Sequence, residues 1–119
     1  VDTWRLIGSP GYPQTDQEVR ERLIAEFQRS SYSDGYMRQI AAIYNAPNRI
    51  ELLKSIKVPV LIIHGKEDIL VPVNGGEDTA SHISQAKLVV FEGMGHTLPQ
   101  PLLKTFVELM LENNLSLAL

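Results

Sequence analysis

The sequence predicts an α/β fold in which a helical segment is followed by a β-α-β-α unit of a parallel sheet. Three observations carry that expectation. Val60-Leu61-Ile62-Ile63 is continuously apolar rather than alternating, as a strand covered on both faces of a parallel sheet should be. Leu88 to Phe91 is a second such run, and Asn74 to Ile83 between them reads as a helix, which is the βα order of this class. Upstream of Val58 the apolar residues recur at helical spacing instead.

The elements follow in order. Residues 1 to 14 hold Trp4 and then Gly8-Ser9-Pro10-Gly11-Tyr12-Pro13, a turn-rich loop whose glycines and prolines forbid a long helix. Thr15-Asp16-Gln17-Glu18 is a capping box, in which threonine and glutamate each satisfy an orphan amide. Val19, Leu23 and Phe27 then recur every fourth residue, with Arg22 and Glu26 placed to pair across one turn. Ser33 or Asp34 caps a second helix carrying Tyr36, Met37, Ile40, Ile43 and Tyr44, and Pro47 stops it near Ala46. A short third helix begins near Asn48 and holds Ile50, Leu52 and Leu53. In the helix at 74–83, Glu77 and Asp78 suit the positive N-terminal end. Pro99 and Pro101 precede a terminal helix with Leu103, Phe106, Val107 and Met110 as its buried stripe.

The bulk properties exclude several function classes. The 119 residues, 44% hydrophobic, suit one globular unit. Eleven basic residues stand against 14 acidic ones, and a net charge of -3 offers no footprint for nucleic acid. The apolar runs fall far short of the roughly 20 residues that span a bilayer, so no membrane partner is expected. The absence of cysteine removes disulfides and thiolate metal sites and fits a cytoplasmic protein. The chain opens at Val1 without an initiator methionine or a leader pattern, and it reads as a piece of a longer protein. Energetics agree: the five apolar side chains Val58, Val60, Leu61, Ile62 and Ile63, at roughly 1.5–3 kcal/mol each when buried, represent on the order of 10 kcal/mol. Two strands cannot cover that surface, and they leave open edges. The sheet is therefore expected to be completed by a missing N-terminal half or by self-association.

Two polar residues stand where the apolar runs end. Asp68 follows the first strand after Gly65, and His96 follows the second after Gly93 and Gly95. Neighbouring parallel strands lie about 5 Å apart, so both loops open into one crevice at the strand ends. An aspartate accepting the second N–H of an imidazole fixes its tautomer and steadies the imidazolium formed on proton uptake. Gly93 and Gly95 are read as the turn that aims His96 back over the strands. The plainer reading of Asp68 is a turn residue capping local amides, and Glu67, Asp78 and Glu92 are rival acids. His64 reads as a hydrogen-bonded core side chain and His82 as a solvated one. The three histidines lack metal-ligand spacing, so neither a metal nor a cofactor is expected. Gly75-Gly76 is followed by Glu77 and Asp78, which would repel a phosphate.

The string Ile56-Lys57-Val58-Pro59-Val60-Leu61-Ile62-Ile63-His64-Gly65-Lys66-Glu67-Asp68-Ile69-Leu70-Val71-Pro72 resembles the acid-bearing strand and loop of an α/β-hydrolase, and Phe91-Glu92-Gly93-Met94-Gly95-His96 resembles its histidine loop. Gln39-Ile40-Ala41-Ala42-Ile43 and Gly93-Met94-Gly95-His96 are similar to the anthracycline methylesterase branch. The resemblance implies a partial α/β-hydrolase fold, with residues 1–55 as a helical cap segment and 56–119 as the C-terminal β-α-β-α portion of the core. It implies a serine hydrolase acting on a small-molecule ester, with Asp68 and His96 as catalytic acid and base. The Gly-x-Ser-x-Gly elbow that precedes them in such enzymes has no counterpart here, since Ser9 lacks the flanking strand and helix. This chain alone is expected to be inactive. A non-catalytic interaction module, an acyltransferase and a dehalogenase are the alternatives.

Overall fold

The computed structural model describes residues 2–32 and 34–115. In chain order the elements are α1 (Asp2–Ile7), α2 (Asp16–Arg29), α3 (Gly35–Tyr44), α4 (Ile50–Ser55), β1 (Val60–Gly65), α5 (Val73–Ser81), β2 (Ala86–Phe91) and α6 (Leu103–Leu115). The described residues divide into two units, one over Gln14–Arg49 and one formed by Asp2–Pro13 together with Ile50 onward. Residues 2–13 and 50–55, which fall within the 1–55 segment expected as a cap, group with the sheet.

The helical unit follows from its caps. The Thr15 hydroxyl accepts from the Glu18 amide at 3.3 Å, and the Thr15 amide donates to Glu18 Oε2 at 2.7 Å, which completes the capping box of α2. The Thr15 amide, and then its hydroxyl, hold the Glu18 carboxyl below the usual carboxylate range. Arg22 meets Glu26 at 3.5 Å one turn on. Asp34 takes the N-cap position of α3 but its side chain makes no capping bond, and Ser33, the other expected cap, lies outside the described residues. The helix ends at Asn45, whose side-chain amide donates to the Ala41 carbonyl at 2.7 Å, two residues before Pro47. Val19 is the buried residue of α2, while Phe27, Tyr36, Met37, Ile43 and Tyr44 are exposed.

In the second unit β1 and β2 pair in parallel, from Val60 opposite Ala86 to Gly65 opposite Phe91. Pleat alternation then fixes where the helices lie. His64 packs its ring on Gly76 of α5, whereas Phe91, one register step on, meets Phe106 of α6 edge to face with ring centroids 5.2 Å apart. Consecutive register positions face opposite ways, so α5 and α6 cover opposite faces of the sheet. The sandwiching predicted from the continuous apolar run is present.

Three local expectations are corrected. Residues 2–7 form a helical turn and a half, because the glycines and prolines that exclude helix begin only at Gly8. Glu77 and Asp78 lie beyond the first turn of α5, which starts at Val73, so they do not serve its N-terminus. The terminal helix buries Phe106 but leaves Val107 and Met110 more than half exposed. Two strands offer too little surface to cover the whole stripe. Of the described apolar residues of this unit, Ile83, Met94 and Phe106 form the buried core.

Candidate active site

Because Gly65 pairs with Phe91, the two strands end level and their loops leave the same edge of the sheet. Backbone bonds stitch those loops together, from Lys66 N to Phe91 O and from Glu67 N to Met94 O, each 3.0 Å. Asp68 is buried between them. Its Oδ1 accepts the amides of Leu70 and Val71, both at 2.9 Å, and its Oδ2 accepts from His96 Nδ1 at 2.9 Å. The turn-capping role and the histidine-orienting role, set against each other as readings of the sequence, are thus played by the two oxygens of one carboxylate.

Burial alone would raise the Asp68 carboxyl, but the Val71 amide, the His96 ring and the Leu70 amide together outweigh it and hold the group below the usual carboxylate range. An ionised carboxylate only accepts hydrogen bonds, so Nδ1 of His96 carries a proton, and in the neutral ring it is Nε2 that keeps the lone pair. The His96 side chain is 41% exposed against 7% for Asp68. A buried carboxylate thus orients a solvent-reachable imidazole. A cleft of about 240 Å³ opens beside them, walled by His64, Val71, Met94 and Leu98. A larger depression of about 330 Å³, bounded by Pro59, Gln85 and Glu112, lies at the opposite ends of the strands, away from the acid–histidine pair.

The histidine loop is shaped by two glycines for different reasons. Gly93 has φ +73°, a left-handed conformation that other residues rarely adopt. Gly95 does not turn the chain, contrary to expectation; it gives clearance, since a β-carbon there would lie 1.9 Å from the Gly8 carbonyl oxygen. The segment before Pro10 therefore lies directly against this loop. Ile7 O accepts the His96 amide at 2.9 Å. The Ser9 hydroxyl accepts the Gly95 amide at 3.0 Å and donates to Thr97, whose carbonyl and hydroxyl oxygens both lie 3.0 Å away. Sequence reasoning missed this bracket. The pairing of small residues, Gly8 and Gly11 with Gly93 and Gly95, is the one trace it leaves there.

The remaining candidates fall elsewhere. The His64 ring donates through Nε2 to the Val71 carbonyl at 2.8 Å and stands 3.9 Å from Asp68 Oδ2, so it buttresses the acid loop. Glu92 is held by Lys66, and its carboxylate raises that ammonium above its usual range. Asp78 lies one turn before His82 on α5. Glu67 has a buried Oε2 with no hydrogen-bond partner. Gly75 and Gly76 lie inside α5, with Gly76 beneath His64. Among the described residues no three His, Cys, Asp or Glu side chains cluster as a metal site, and no helix is long and apolar enough to cross a membrane.

A helix-flanked parallel sheet whose strand ends bring a buried aspartate onto a histidine is the C-terminal part of an α/β-hydrolase fold. Residues 37–105, more than half of the chain, match the family described as TAP-like protein, and the chain belongs to that family. It is 29% identical over 92 residues to the bifunctional esterase/perhydrolase DCH of Acinetobacter calcoaceticus, covering 75% of this chain and 33% of that one. It is 30% identical over 100 residues to rhodomycin D methylesterase DauP of Streptomyces sp. (strain C5), covering 83% of this chain and 33% of the relative. Among solved structures it is similar to the esterase RhEst1 from Rhodococcus sp. ECU1013, with a TM-score of 0.51 and 27% identity over 62% of this chain and 28% of that one. The chain thus spans about a third of the length of these curated relatives.

Proposed function

We propose that this chain is the acid–histidine portion of a carboxylester hydrolase working through a Ser-Asp-His triad whose serine lies outside it. The observation that carries the reading is the 2.9 Å bond from His96 Nδ1 to a buried, ionised Asp68, which leaves Nε2 basic beside an open cleft. The esterase relatives support the substrate class. In the mechanism Nε2 takes the proton of the serine hydroxyl as its oxygen attacks the ester carbonyl. Asp68 steadies the resulting imidazolium, and His96 then returns the proton to the departing alkoxide. Water, activated the same way, releases the acid from the acyl-enzyme. The oxyanion donors belong with the serine, so the chain alone would be inert. Further strands, from the rest of the polypeptide or from a second copy, would complete the sheet, and the Gln14–Arg49 unit would serve as the cap.

A serine-directed fluorophosphonate applied to the intact protein tests the proposal. One adduct on a serine outside residues 1–119, abolished by His96→Ala, is expected. Absence of any adduct in folded protein would favour a non-catalytic module.

A further inference from the structure

We infer that Ser9 is a positioning residue that clamps the histidine loop and so holds the His96 ring in register with Asp68. The inference rests on His96 acting as the base, and it names a group outside the triad on which that base depends. Ser9 is 7% exposed, and its hydroxyl is committed on both sides of His96: it accepts from the residue before, Gly95, and donates to the residue after, Thr97. A hydroxyl rotates to suit one donor and one acceptor at once, which no apolar side chain of that size can do. The amide of His96 itself is taken by Ile7 O, so three consecutive residues of the loop are pinned by two positions of one segment, Ile7 and Ser9. The approach is too close for substitution, because Gly95 faces Gly8 backbone to backbone and Gly93 faces Gly11 in the same way.

The histidine loop otherwise leans on Asp68 through a single side-chain bond, and His96 is the more exposed partner. Loss of the Ser9 hydroxyl would orphan a buried amide and a buried carbonyl on either side of the ring. Ser9 lies in the first dozen residues, some 86 positions from Gly95, so the base is held by a segment that precedes the helical unit in sequence. Its hydroxyl is occupied by this duty, which also accounts for a buried serine that is not a nucleophile.

Long-range proton–nitrogen NMR of the histidine rings reads the clamp without any need for turnover. In the unsubstituted chain His96 should appear as a single Nδ1–H tautomer. In Ser9→Ala the Nδ1 proton should exchange with water roughly tenfold faster, while His82, just past the C-terminal end of α5, keeps its wild-type signals. Thr97→Val, which removes one of the contacts, should move His96 the same way by less. Ser9→Cys, which keeps the shape and a weak donor, should fall between wild type and alanine, and it serves as the test if the alanine variant does not fold. His96 signals unchanged in Ser9→Cys and Thr97→Val, with the chain folded, overturn the proposal. Failure of the catalytic reading is separate: His96→Ala in the intact protein would retain ester hydrolysis, while the ring signals would still respond to Ser9.

Discussion

Gly95 and Gly8 meet backbone to backbone: a β-carbon on Gly95 would lie 1.9 Å from the Gly8 carbonyl oxygen and 2.8 Å from its carbon. Neither is a flexible tip that can swing away. Gly95→Ala must therefore push the histidine loop off the 7–12 segment, stretching the bond from the His96 amide to Ile7 O. The expected cost is about 1–3 kcal/mol, the usual range for forcing atoms into a packed site. Urea denaturation measures it, and a change below about 0.5 kcal/mol, the scale of ordinary surface substitutions, would contradict the contact.

What was legible in the sequence was whatever a local pattern encodes. The capping box at Thr15 and Glu18, the two parallel strands flanked by helices and the level ends that bring Asp68 to His96 all follow from spacing and residue type. The bracket from Ser9 to Gly95 and Thr97 has no periodicity, because long-range packing rather than local propensity creates it. Gly95 shows the same limit: sequence identifies a glycine, but whether it serves a turn or a clearance depends on what lies opposite. The exposed side chains of α6 could not be foreseen either, since helical spacing reports an apolar face and not whether a partner covers it.

Thr15→Ala should remove the hydroxyl that receives the Glu18 amide and donates to its carboxylate, leaving the glutamate only the backbone amide of residue 15. Loss of an N-cap of this type costs about 1 kcal/mol. The effect belongs to the Gln14–Arg49 unit, so far-ultraviolet circular dichroism should show reduced helix there while the His96–Asp68 bond, read by ring NMR, stays intact. Helix content unchanged from wild type would contradict the contribution of the cap.

His64→Phe keeps the ring volume beneath Val71 and removes the N–H that holds the Val71 carbonyl. About 1 kcal/mol of stability should be lost, the ordinary net worth of one hydrogen bond. The Val71 amide would still reach Asp68, so the acid loop should loosen rather than collapse. Ester hydrolysis by the intact protein should fall by far less than in an Asp68 variant. An equal loss in the two would place His64 in the chemistry itself.

Asp68→Asn preserves the shape of the site and an acceptor for the Leu70 and Val71 amides, but presents an uncharged side chain to His96. An amide N–H facing Nδ1 would favour the opposite tautomer and put a proton on the nitrogen that must accept one. In the intact protein turnover should fall by about 10⁴, the cost of that tautomer error in a Ser-His-Asp site. A fall below about tenfold would remove Asp68 from the mechanism.

The same substitution makes a prediction about acid. The folded Asp68 carboxyl lies below its ordinary range although burial opposes ionisation, because the Val71 amide, the His96 ring and the Leu70 amide favour the charged form. A folded-state pKa below the unfolded one means that the unfolded chain binds the proton first, so stability is lost as pH falls. The contribution is fully present above the unfolded value of about 3.9 and disappears as pH falls through the lower folded value. Near neutral pH the wild-type chain should exceed Asp68→Asn by about 1.5–3 kcal/mol, the range for hydrogen bonds to a charged group. Asparagine does not titrate, so the gap between the two urea midpoints should close on acidification below about pH 4. A gap that persists unchanged to about pH 2 would mean that the carboxylate at 68 is not held ionised by these partners.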